Sequence, residues 1–348
     1  MNTYDVAAYI WPSYTGDEPR TRIFWPEGIG EWETVKKRCH QKPLWGYQNE
    51  ADPAAMEFQI SQALAHGINT FIYDWYWYDN RPFLEQCLDD GFLGAPNNGQ
   101  MKFFLMWANH TANTLWDLRN SHDQKTPIWD GAAPRYIFEH IARRWIENYF
   151  CRENYYKIAG KPVLSIFDVG SFIRGLEGPE KAREAIAWFR DEMRKAGFPG
   201  LHLQLIKFGG DNAFEQMERL GADSVTHYQT ACYAPAKNGQ PYAAWFPAMR
   251  EEFAKLERSG YTYFPHVSVG WGSQPRYLRP TQDNILPGSK EDVKEALRIA
   301  KEYADAHPGQ PPLVTLNSWN EWTETSYLQP DDKMGYAYLE AVKEVFSS

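Results

Sequence analysis

Short runs of apolar, β-branched and aromatic residues recur along the chain, at Tyr4–Ile10, Asn69–Trp75, Lys102–Trp107, Pro162–Phe167, Leu201–Ile206, Asp223–His227, Tyr263–Val269 and Leu313–Trp319. Each is strand length and none alternates cleanly with polar residues, which is the pattern of strands covered on both faces. Between them apolar residues recur at helical spacing: Met56, Ile60, Leu64; Ile137, Ile141, Trp145; Ile186, Phe189, Met193; Phe214, Met217, Leu220; Val293, Leu297, Ala300; Leu339, Val342, Phe346. Buried strands alternating with amphipathic helices predict a parallel α/β sheet, and eight units close into a single (β/α)8 TIM barrel with long βα loops, spanning 1–348 as one domain. The fifth and sixth runs begin at 201 and 223, so the helix between them must be short. A doubly wound open sheet is the alternative. It lacks support, because no G-x-G-x-x-G or G-x-x-x-x-G-K-[ST] follows any run.

Composition narrows the function classes. Hydrophobic residues are 43% and charged residues 23%, a globular balance. With 36 basic against 45 acidic residues the formal charge is −9, and no basic stripe is present to neutralise phosphates. Neither nucleic acid nor a membrane is expected as a partner. No apolar stretch approaches the ~20 residues that span a bilayer. No signal peptide is visible after Met1, so the chain as written reads as cytoplasmic; a chain trimmed of its signal, secreted or periplasmic, would look the same. Cys39, Cys87, Cys151 and Cys232 are scattered, which predicts reduced structural thiols rather than a zinc site or disulfide framework. Neither metal nor cofactor is expected.

Aromatic residues reach 16%, with 15 Trp and 21 Tyr. A barrel carries its active site at the C-terminal ends of its strands. Reading off those ends gives Tyr9 and Trp11; Asp74, Tyr76 and Trp77; Trp107, Asn109 and His110; Asp168; Lys207; His227 and Tyr228; Trp271; and the dense group Asn317 to Glu324, with Asn320, Glu321 and Glu324 in it. Indoles, amides and carboxylates on one rim suit the hydroxyls and C–H faces of an oligosaccharide or polysaccharide. The connections 12–52, 109–134, 228–241 and 271–290 should wall the cleft.

Cleaving a glycosidic bond takes two groups that move protons or attack carbon. Glu321 and Glu324 are the obvious pair. In a helical turn, residues three apart face one side, and that closeness fits retention better than inversion. The same pair could also be two solvated acids on a loop. Asp74 or Asp168 acting across the barrel with Glu321 is a second mechanism, and a sugar-binding barrel without turnover is a non-enzymatic alternative. His110, His227 and His266 lie on different runs and are better read as core histidines than as metal ligands.

The segment N-S-W-N-E-W-T-E-T-S-Y-L-Q-P-D, residues 317–331, closely resembles the N-x-W-N-E-W-x-E-x-x-x-L-x-P-D segment of WbsX-like proteins, relatives of glycoside hydrolase family 99. G-I-G-E-W-E-T-V at 28–35, F-I-Y-D-W-Y-W-Y at 71–78 and W-A-N at 107–109 also resemble that family's segments, in order along nearly the whole chain. The resemblance implies an endo-α-mannosidase-like barrel that retains configuration through a 1,2-anhydro sugar. By that reading Glu321 takes the proton of the 2-hydroxyl and must be ionised, Glu324 is acid and then base, and Trp32 joins the contact shell. Departures affect the substrate more than the reaction. His110-Thr111-Ala112 stands where relatives have Glu, Asn and Trp, Gly272 where they often carry Asp, Thr325 for a usual Gly and Gln329 for a usual Glu. Some WbsX-like proteins are labelled glycosyltransferases; no nucleotide-binding loop or D-x-D motif supports that here.

Overall fold

The computed structural model describes residues 4–16, 18–120, 125–208, 212–234, 236–237, 239–272, 275–278 and 284–347. Parts of the connections expected to wall the cleft, at 17, 121–124, 235, 238, 273–274 and 279–283, therefore lie outside the described residues.

Eight parallel strands form the barrel: β1 Asp5–Ile10, β2 Thr70–Tyr78, β3 Lys102–Trp107, β4 Lys161–Ile166, β5 His202–Ile206, β6 Ser224–Thr226, β7 His266–Ser268 and β8 Leu313–Asn317. Their order is β6-β5-β4-β3-β2-β1-β8-β7. The remaining gap between β6 and β7 is nearly closed. Val225 pairs with Tyr263, its N–H donating to Thr262 O at 3.0 Å while Phe264 N–H donates to Val225 O at 3.0 Å. The predicted barrel is the observed one.

Nine helices are described: α1 Trp32–Arg38, α2 Pro53–Ala65, α3 Arg135–Trp145, α4 Val169–Gly175, α5 Pro179–Lys195, α6 Asn212–Leu220, α7 Trp245–Ser259, α8 Lys290–Ala306 and α9 Ala337–Phe346. Local chemistry explains several boundaries. Asp52 accepts from Ala54 N–H with Pro53 opening α2, and Ser289 with Asp292 forms a capping box on α8. The fifth unit has the expected short helix, α6, of nine residues. Two features are absent from the hydrophobic reading. Helix α7 buries Trp245, Met249, Phe253 and Leu256 between β6 and β7, directly after the connection 228–241. The connection from β2 to β3 carries, in place of an α-helix, a π-helical turn, Cys87–Phe92, and a 3-10 turn, Asn98–Gln100. Gly91 in the π-helical turn has no room for a side chain, since a Cβ would fall 1.9 Å from Glu50 O.

Buried side chains from all eight strands and the surrounding helices form one continuous core. Strand β2 is longer than predicted and buried along all of its nine residues. Its last part, Tyr76 to Tyr78, pairs antiparallel with Arg81–Phe83 and stands above the barrel. Among the described residues no helix is long and apolar enough to cross a membrane, and all four cysteines are free.

Candidate active site

Beyond β8 the chain makes a tight reversal. Asn320–Glu321 pairs antiparallel with Ser326–Tyr327, and a 3-10 turn, Trp322–Glu324, joins them. Residues three apart nearly eclipse in such a turn, so Glu321 and Glu324 both reach one cleft at the C-terminal mouth of the barrel. Thr325 closes the turn in the left-handed conformation, φ 51°. The two neighbouring indoles frame the turn and do not line the cleft. Trp322 stacks on Tyr327 with centroids 3.8 Å apart and donates to Gln329 Oε1 at 2.8 Å, while Trp319 donates to Gln59 Oε1 at 2.8 Å. The segment following β7 presses on the same turn. Gly272 N–H donates to Glu324 O at 2.8 Å, and a Cβ at Gly272 would sit 2.6 Å from Thr325 Oγ1.

Alternation along the strands decides which end residues share this cleft. Tyr9 on β1 and Trp11 just beyond it, Asp74 and Tyr76 on β2, and Tyr228 beyond β6 belong to the inward set; Trp11, Asp74, Tyr76 and Tyr228 line the cavity with Glu321 and Glu324, and Trp271 lines the adjoining one. Tyr9 lies one layer deeper, edge-on to Tyr228 at 4.8 Å and donating to His227 O.

The other expected contacts are corrected, and for most the reason is parity. Trp77 is one step out of phase with Tyr76 and stacks on Trp75, against His140 of α3. Trp107 faces Phe138 and Trp145 in the helix layer. Asn109 brackets the ends of β3 and β4, donating to Asp168 O at 2.7 Å and accepting from Asp168 N–H at 2.8 Å. Asp168 caps α4 through Ser171. Lys207 is tied to Glu252 of α7 at 2.7 Å, and His227 to Tyr263 at 3.0 Å. Trp32 packs on Tyr14 and donates to Gln48 O. Asn320 clamps Trp11 through its backbone, accepting from its N–H at 2.8 Å and donating to its carbonyl at 2.9 Å, and also donates to Glu50. These groups hold the rim together from outside the cleft.

Sequence reading missed Arg276, which reaches in from the connection after β7. Its guanidinium pairs with Glu324, stands 3.6 Å from Glu321 Oε1 and 3.5 Å from Glu31 Oε1, and lies over the Trp11 ring at 5.8 Å. Glu31 in turn accepts from Trp11 Nε1 at 2.5 Å and from Thr323 at 2.9 Å. Trp116, Met106, Ala108, His110 and Phe167 complete the wall. Met106, Ala108 and His110 have the inward parity that Trp107 and Asn109 lack; Arg276 and Trp116 lie in long connections, where no periodicity marks them.

Four carboxyls and one guanidinium set the electrostatics. Burial first, then the charge of Glu324, pushes the Glu321 carboxyl well above the ordinary range, while Arg276 pulls it down. Burial also raises Asp74 well above its ordinary value, with the Tyr228 hydrogen bond pulling it down. For Arg276 burial opposes the charge, yet Glu324, Glu31 and Glu321 outweigh it and the guanidinium stays protonated. The ionised Glu321 expected from the sequence therefore needs support. Tyr228 supplies it, its hydroxyl lying within hydrogen-bond distance of both Asp74 and Glu321. A phenol carries one hydrogen. Asp74 Oδ1 has no partner, whereas Glu321 Oε2 also accepts from Asn317 Nδ2 at 3.3 Å and Oε1 faces Arg276. The pattern is satisfied when Asp74 keeps the proton and donates it to Tyr228, which donates to an ionised Glu321. Among the described residues no group of three or more His, Cys, Asp or Glu is arranged to hold a metal ion.

Known proteins resemble this architecture. A solved glycoside hydrolase-like protein superposes with a TM-score of 0.66 at 17% identity, covering 99% of this chain and 94% of that one. A GH99 endo-α-mannosidase from Bacteroides thetaiotaomicron gives 0.66 at 13% identity, covering 100% and 98%. At such identities the likeness concerns the fold, which is glycoside hydrolase-like. Two uncharacterized WxcX proteins, from strains of Xanthomonas campestris pv. campestris, are each 25% identical over 352 residues. The match takes in 94% of this chain and 48% of each relative, so the chain spans about half their length. The family model described as Glycosyltransferase WbsX matches residues 6–342, and the chain belongs to that family.

Proposed function

We propose that the chain is a retaining α-glycosidase acting on a mannose-like or related glycan whose 2-hydroxyl is free. Glu321 takes the 2-hydroxyl proton, O2 attacks the anomeric carbon from the face opposite the leaving group, and the C1–O bond breaks. Glu324 gives its proton to the departing oxygen. The ionised Glu324 then removes a proton from water, which opens the 1,2-anhydro ring at C1, while Glu321 returns its proton to O2. Two inversions leave the configuration retained.

The observation that supports this reading most is the shared placement of Glu321 and Glu324 on one 3-10 turn facing one cavity, with Tyr228 and Asn317 supplying hydrogens to Glu321. Opposed roles for two carboxyls require different surroundings. Here Glu321 is deep beside Tyr228, and Glu324 is nearer the mouth on Arg276. The family's description favours a second reading, transfer of the sugar to another hydroxyl. The same intermediate serves both, and the product distinguishes them.

Incubation with a panel of α-linked oligosaccharides should release reducing ends, and a 2-O-methyl counterpart of any substrate should be inert. Cleavage of the 2-O-methyl sugar at the same rate would overturn participation by the 2-hydroxyl. Inertness towards the whole panel would favour a binding barrel, and elongated products without free reducing ends would favour transfer.

A further inference from the structure

Glu324 stands where two cavities meet. The one containing Glu321 and Asp74 has a volume of about 210 Å³, and Phe167, Tyr228 and Glu324 also line a second, of about 320 Å³, on their other side. A bond to be cleaved beside Glu324 would run from the first cavity into the second. The two differ in chemistry. The first presents Asp74, His110, Arg276 and Glu321 to a sugar. The second is walled by Phe208, Ala231, Cys232, Ala236 and Trp271. Burial pushes the Cys232 thiol up to about 12, so it stays neutral and acts as a small apolar group. Phe208, 39% exposed, holds an aromatic face open at the rim.

Tyr228 and Glu324 bring polar groups to the side it shares with the first cavity. Gln229 also borders the cavity; its side chain is buried, and its Nε2 donates to Asn317 Oδ1 at 2.8 Å. A ring bearing hydroxyls all round would press several of them on Ala231, Cys232 and Ala236, where they lose water and gain nothing. A ring carrying a methyl group in place of a hydroxymethyl avoids that cost and buries apolar surface.

We propose that the second cavity is the leaving-group subsite and that it takes a 6-deoxyhexose, whose methyl edge lies on Trp271 and Phe208. This rests on the glycosidase reading for which side of the bond departs. The preference itself is a binding property.

The test uses two α-linked disaccharides that share the non-reducing hexose and differ only in the reducing-end ring, 6-deoxyhexose or the parent hexose. Kd for each is measured by calorimetry on the Glu321→Gln chain, and turnover on the unmodified chain. The deoxy disaccharide should bind on the order of tenfold more tightly, and Trp271→Ala and Phe208→Ala should each bring the ratio towards one. Equal or tighter binding of the hexose form, no binding of either, or a ratio that neither variant moves would overturn the proposal. A binding preference without turnover leaves the subsite standing and removes the glycosidase reading; turnover without preference does the reverse.

Discussion

The hydroxyl of Tyr228 lies 2.9 Å from Asp74 Oδ2, and the same oxygen is 3.1 Å from Glu321 Oε2. One hydrogen cannot serve two carboxylates, so with Glu321 ionised, as the proposed mechanism requires, Asp74 holds a proton of its own. Asparagine imitates that protonated acid. Asp74→Asn should keep activity within about tenfold, because its amide still donates to Tyr228, whereas Tyr228→Phe should lose roughly tenfold or more by leaving Glu321 short of a donor. Steady-state rates check this, and loss of all activity in Asp74→Asn with retention in Glu321→Gln would instead install the carboxyl pair across the barrel.

Replacing either glutamate by glutamine keeps shape and removes proton chemistry. Each should cost on the order of 10²-fold or more in kcat on a natural leaving group. With an activated aryl glycoside, Glu324→Gln should recover most of its bond-cleavage rate and Glu321→Gln should not.

The same aryl substrate gives a pH test. Glu321 must be ionised to act, and burial followed by the Glu324 charge raises its pKa. The rate should therefore fall as pH drops through a point above the ordinary carboxylate range. Removing the charge in Glu324→Gln should move that limb to lower pH, and an upward shift would contradict the charge relationship.

Arg276 compensates Glu324, Glu321 and Glu31 within one cluster. Taking away one side of a buried ionic cluster costs roughly 3 kcal/mol. Urea unfolding of Arg276→Met should show that loss near pH 8 and a smaller one near pH 5, because Glu321 and Glu31, whose pKa values burial raises, take up protons and relieve the repulsion.

Glu50 lies behind the cleft, fully buried, accepting from Asn320, Gln329 and Gln59; burial outweighs these hydrogen bonds and raises its pKa to about 7. A carboxyl whose folded pKa exceeds its unfolded value stabilises the fold below the unfolded value, and that contribution disappears as pH rises through the folded one. Between about pH 4.5 and pH 7 the chain should lose about 3 kcal/mol from this group. Glu50→Gln should flatten that slope in denaturant titrations; an unchanged slope would place the titration elsewhere.

The barrel was legible because buried parallel strands and their helices have different hydrophobic periods, and the motif at the end of β8 marked its two glutamates. The contact shell was legible only by halves. Consecutive residues at a strand end point to opposite faces, so Tyr76 and Trp77, or Tyr228 and His227, could not both enter the cleft. The sequence does not state which parity faces inward, and chemistry was an unreliable guide: Lys207 and Asp168 look functional yet serve Glu252 and α4. Helix α7 escaped notice although Trp245, Met249, Phe253 and Leu256 have helical spacing. Arg276 left no local signal, since only folding brings its connection over the turn that carries Glu324.

Gly272 and Thr325 compete for one small volume, for the threonine hydroxyl already occupies space that a side chain at 272 would need. Gly272→Asp introduced alone would jam the turn that carries Glu324 unless Thr325→Gly accompanied it.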